Sequence, residues 1–213
     1  MKTENELIEE IKNITEIYLN IRILNDNCKY LKNPDTPKEF EIRYEYTVFQ
    51  GIIYAMDRMV IIELCKLYGR RNDNYRIELF LKNVLNNFDS SEYACKISKQ
   101  QIEDWQNALS SDLNLINLIL KIQTLRDKYI AHKDRSPTEP INSFAPTMVE
   151  FQYLFDFVEK VIQYFEKHIN NISPTFDKIG NVGKASDILH VLVEYKRLTK
   201  KEFDDECRKQ DEQ

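Results

Sequence analysis

The stretch Leu115–Arg135, "LINLILKIQTLRDKYIAHKDR", decides how the whole chain is read. Leu115, Leu118, Ile119, Ile122, Leu125, Tyr129 and Ile130 recur at three- and four-residue steps. On a helix advancing about 100° per residue they gather on one broad face. A face of this kind must be covered by other helices, so the segment predicts a helix inside a bundle. Its end is unusual. Arg126 falls inside the apolar face, flanked by Ile122 and Ile130, and His132 sits at the edge.

Working outward, Ser98 serves as N-cap for a helix over 99–132. Upstream, Leu7, Ile11, Ile14, Tyr18 and Ile21 mark an amphipathic helix over 4–31, stopped by "NPDTP" at 33–37. A second long helix is expected over 38–68, its apolar face drawn from Tyr44, Val48, Ile52, Ala55, Met56, Met59 and Ile62, with Gly69 closing it. A shorter helix follows near 75–88, then a loop, "FDSSEYACKIS". Downstream, Pro137, Pro140 and Pro146 mark an irregular crossing before a helix over 147–170, whose stripe takes in Phe151, Phe155, Val158, Ile162, Phe165 and Ile169.

Each helix carries one apolar stripe, which predicts an all-α antiparallel bundle over residues 1–172. Residues 173–213 form an appendage: a glycine-containing loop, a short helix capped by Ser186 or Asp187 and running to about 198, and a charged tail. "GNVGKAS" is not a phosphate loop, because its glycines are too close together and Ala185 follows the lysine.

Composition agrees with this reading. The chain has 213 residues, 31% of them charged, with only four glycines and six prolines, which favours long helices over a turn-rich β-fold. Cys28, Cys65, Cys95 and Cys207 form no CxxC pair, so neither a zinc site nor a redox motif is expected, and free cysteines fit a reducing cytosol. His168 and His190 lack acidic or cysteine partners at ligand spacing, so no metal is expected. The amino terminus lacks a secretory pattern and no apolar run is long enough for a membrane span, so the expectation is a soluble, cytoplasmic protein. A formal charge of −5 argues against a general nucleic-acid coat protein.

An arginine in an apolar stripe needs a counter-ion or water, because guanidinium does not shed its proton. Glu63, on the apolar face of the second helix, is the candidate partner. Such a pair is compatible with a functional role for Arg126. Charge also concentrates here: Lys121, Arg126, Lys128, Lys133 and Arg135 against Asp127 and Asp134 leave +3 in an acidic chain. Cations at a helix C-terminus offset the macrodipole. The alternative is a local anion or phosphate site. Arg126 and His132 project about 120° apart on a straight helix. A joint site therefore needs a swung side chain, a loosened helix near Ala131, or a second protomer.

The segment "RDKYIAH", closing a long helix in an all-helical chain, resembles the motif of the HEPN superfamily. The fuller "LRDKYIAHKD" is similar to its AbiU-like group, related to abortive-infection proteins, with the likeness covering roughly residues 40–170. The resemblance implies a bundle that pairs through its motif-bearing helices as a homodimer. It also implies metal-independent endoribonuclease activity in anti-phage defence or a toxin–antitoxin system, with RNA as the partner and no cofactor. Carried over, Arg126 and His132 are the catalytic pair and Asp127 helps set the arginine. An antitoxin or a nucleotidyltransferase is a further expected partner. However, Asp134 stands where one subgroup has the tyrosine that is nucleotidylated.

This chemistry is coherent. The RNA 2′-hydroxyl is the nucleophile, a histidine moves protons, and an arginine stabilises the phosphate, leaving a 2′,3′-cyclic phosphate. Lys128, Lys133 and Arg135 are placed to hold flanking phosphates, and Tyr129 either stacks on a base or belongs to the core. The rival reading is a catalytically silent helical module that binds a partner protein or nucleic acid. A weaker third is a small-molecule sensor.

Overall fold

The computed structural model describes residues 3–69, 75–131, 146–176 and 184–211, with no strand among the described residues. The fold is all-α. Its helices are α1 (Glu4–Lys32), α2 (Pro37–Glu45), α3 (Val48–Tyr68), α4 (Ile77–Asn86), α5 (Lys99–Ser111), α6 (Leu113–Leu125), α7 (Met148–Ile169) and α8 (Ala185–Asp211). The chain divides into two compact units, Met1–Ile21 with Arg58–Asp177, and Arg22–Asp57 with Lys178–Gln213.

The first unit is held by apolar stripes. Leu7, Ile11, Ile14, Tyr18 and Ile21 of α1 are buried, as are Phe155, Val158, Ile162, Phe165 and Ile169 of α7. Phe165 meets Phe80 of α4 edge-on at 4.8 Å and lies 6.4 Å from Trp105 of α5. Several polar groups inside are paired, which offsets the cost of burying them. The Tyr18 hydroxyl donates to Glu159 at 2.6 Å, and that of Tyr68 to the Leu154 carbonyl at 2.7 Å. Burial holds the Tyr68 phenol well above its ordinary value. Gln123 Nε2 donates to the Tyr68 carbonyl at 2.8 Å.

The second unit packs α2 against α8 around Cys28, Leu31, Ile42, Phe49, Ile53, Ala185 and Leu189. Proline at the first position of α2 and a Thr36–Glu39 capping box start that helix. Burial pushes the Glu39 carboxyl up, yet hydrogen bonds from Tyr30 and Thr36 outweigh it and the net direction is down. Arg43 donates to the Lys32 carbonyl at 3.5 Å, at the negative end of α1, and lies over the Phe40 ring at 4.7 Å.

Four expectations are corrected. The helix expected over 38–68 is two helices, because Tyr46 adopts an extended backbone (φ −100°, ψ 104°) and the chain restarts at Val48. The helix expected over 99–132 breaks at Asp112, again extended, whose carboxylate caps a new helix by accepting from Asn114 and Leu115 N–H. On α3 the face marked apolar is largely the open one. Val48, Ile52 and Met59 are exposed, as is Tyr44 of α2, while Phe49, Ile53, Val60, Ile61 and Leu64 are buried. Finally, α8 starts at Ala185, whose N–H donates to Asn27 at 2.6 Å, and runs to Asp211 rather than 198. Its later residues include lysines, glutamates, an arginine and a glutamine, all good helix formers, and no glycine or proline.

The cysteines differ in a testable way. Cys28 Sγ donates to Asp57 at 3.1 Å, and burial, reinforced by that carboxylate, pushes the thiol up to about 11. Cys65 is buried with its thiol on the Ile122 carbonyl at 3.6 Å, whereas Cys95 is exposed. The thiolate is the reactive form. Brief iodoacetamide treatment of the native protein at neutral pH is therefore expected to label Cys95 and spare Cys28 and Cys65, read by peptide mass mapping.

Candidate functional site

Helix α6 delivers the motif. Asp112 starts it, and Leu115, Leu118 and Ile122 anchor it in the core of the first unit. Regular α geometry ends at Leu125, and Arg126–Ala131 form a single π-helical turn. Such a turn widens the helix, and π turns recur at functional positions. The straight-helix angle between Arg126 and later residues therefore does not carry through this segment.

Arg126 is the first residue of the wide turn. Its Nε donates to Asp127 Oδ1 at 2.8 Å, with the arginine side chain 30% exposed. Adjacent carboxylate and guanidinium form a charge-assisted pair that restrains the long side chain. Lys128 is exposed on the same turn. The side chain of Tyr129, and all of His132, Lys133 and Arg135, lie outside the described residues. Glu63, expected opposite Arg126, is buried and accepts from Lys66 one turn along α3 at 2.6 Å. A carboxylate that meets Arg126 is that of its own neighbour, Asp127.

A groove of about 600 Å³ runs between α6 and α7, lined by Asn117, Leu120, Lys121 and Thr124 on one side and by Val149 and Tyr153 on the other. Sequence reasoning missed its polar fastenings. Lys121 Nζ meets Glu150 at 2.5 Å, and Tyr153 donates to Asp112 at 2.6 Å. The Lys121 contact, then the Thr147 N–H, hold the Glu150 carboxyl below its usual range. The Tyr153 hydroxyl, helped by the Leu115 N–H, does the same for Asp112 and raises the Tyr153 phenol in return. The signals were present in the chain: aspartate after two serines as an N-cap, and Thr147 followed three residues later by Glu150 as a capping box.

Asp112 therefore couples the start of α6 to α7. Its carboxyl titrates lower folded than unfolded, so its stabilisation is present above the unfolded value of about 4 and is lost as pH falls through the folded value. Asp112→Ala is expected to cost about 1 kcal/mol at pH 7 through the lost cap. Urea titrations at pH 7 and pH 3 check this: the gap between wild type and variant should shrink in acid.

No group of three or more His, Cys, Asp or Glu placed to hold a metal occurs among the described residues. None of their helices is long and apolar enough to cross a membrane.

Among protein families, the model described as AbiU2, a HEPN type, matches the chain over residues 4–188. Comparison with curated proteins and with solved structures finds no match.

Proposed function

We propose, from the premise that this chain belongs to the AbiU2 family of HEPN domains and is an abortive-infection-related HEPN module, that it is a metal-independent endoribonuclease acting in anti-phage defence or as a toxin. The observation that carries the reading is the Arg126–Asp127 pair at the opening of the π turn. It restrains a guanidinium at the end of α6, six residues before the motif histidine.

The chemistry follows from these groups. Arg126 holds the scissile phosphate and stabilises the charge that develops on its oxygens. Asp127 binds Nε and so restrains the direction of the fork. His132 takes the proton of the 2′-hydroxyl, whose oxygen attacks phosphorus and expels the 5′-oxygen. That oxygen needs a proton in turn, and a second histidine supplies it when two subunits share one groove. Lys128, Lys133 and Arg135 hold neighbouring phosphates, and Tyr129 offers a ring to a base. An antitoxin or a nucleotidyltransferase is the partner class that would restrain such an enzyme.

The test is the product. Purified protein with single-stranded RNA and a metal chelator should yield 5′-hydroxyl and 2′,3′-cyclic phosphate ends. Intact RNA that the protein retains in a filter-binding assay would instead assign it to the silent binding modules. Cleavage that depends on divalent metal, or leaves 5′-phosphate ends, would end the proposal.

A further inference from the structure

Helix α8 carries two apolar stripes, and only one of them is used. Ala185, Leu189, Leu192 and Val193 face the core of the second unit. Ile188, Val191, Tyr195 and Leu198 recur at steps of three and four on another face. They are 58%, 64%, 65% and 48% exposed. Single exposed apolar residues are ordinary, but a contiguous helical stripe of four large ones marks an interaction surface. The family match ends at residue 188, so nearly all of this stripe lies beyond the shared module.

The charges of α8 say what covers it. Along the stripe Asp187 and Glu194 come first and Lys196, Arg197, Lys200 and Lys201 follow, while the mixed charges from Glu202 onward lie beyond it. A parallel copy of the helix would set like charges side by side, whereas an antiparallel copy sets opposite charges together. With the stripe as a heptad seam, antiparallel pairing brings Val191 against Tyr195 and Ile188 against Leu198, a small residue facing a large one in the central layers. The same register sets Asp187 of each copy beside Lys201 of the other. Glu194 falls at the two-fold axis, where Arg197 already covers it at 3.0 Å. Lys196 is held by Glu45 of α2 and stays clear of the seam.

We propose that α8 is a self-association helix, its open stripe of Ile188, Val191, Tyr195 and Leu198 pairing antiparallel with the same stripe of a second copy of this chain. The inference does not depend on ribonuclease activity.

Sedimentation equilibrium of the full chain tests it. Val191→Glu with Tyr195→Glu replaces exposed side chains, so helicity by circular dichroism should hold while the self-dissociation constant rises about tenfold or more. Asp187→Lys and Lys201→Asp should each weaken self-association. An equimolar mixture of these two variants should recover it as a mixed dimer, because both flanking pairs are then complementary again. A chain that stays monomeric at high concentration would overturn the proposal. So would an association unmoved by the glutamates, or a mixture that recovers nothing.

Discussion

Replacing His132 by alanine is expected to slow metal-free RNA cleavage by about 10²–10⁴-fold, the usual contribution of a positioned general acid–base. Arg126→Ala should cost about 10²–10³-fold, the scale for removing one preorganised donor to developing charge. The two losses should not multiply in the double variant, since groups acting on one phosphate work as a unit. Arg126→Lys is informative because lysine keeps the charge but loses the fork and the Nε donor that meets Asp127 at 2.8 Å. It should recover little of the rate. RNA binding without turnover should persist in His132→Ala. Cleavage that survives both alanine substitutions would remove the motif from the mechanism.

The second large effect is on stability. Phe165 is fully buried and meets Phe80, Trp105 and Tyr164. Phe165→Ala removes the ring that three helices share and leaves a cavity among stiff aromatic neighbours that close it poorly. The expected cost is about 3–5 kcal/mol, a large part of what a domain of this size has in reserve. Trp105 is the single tryptophan, so its fluorescence reports this cluster directly. Urea unfolding followed at that residue should show the midpoint fall with the slope unchanged. A loss below about 1 kcal/mol would mean that the site collapses around the deletion.

The two effects differ in how far the chain announces them. The α7 stripe that holds Phe165 is legible because its residues sit at helical steps and the opposite face is polar. The α3 stripe misled for the converse reason. Apolar residues occur on both of its faces, so periodicity has no contrast to read, and packing buried Phe49, Ile53 and Leu64 while leaving Val48 and Ile52 open. Glu63 was read as a partner for Arg126 from its face alone, and in the structure it accepts from Lys66, one turn away on the same helix.

By itself the sequence determined the all-α class, the helix start at Pro37, the N-cap at Ser98, and the place of Arg126 at a helix end. These depend on contacts within a few residues: caps, proline and the three-to-four-residue spacing of apolar side chains. Only the tertiary structure decided the cap of α8 by Asn27, the Asp112–Tyr153 and Lys121–Glu150 fastenings, and which stripes of α3 and α8 stay open. Those outcomes join residues far apart in the chain. Each side chain can serve several partners, and the choice falls to whichever surface the folded backbone brings within a few ångström.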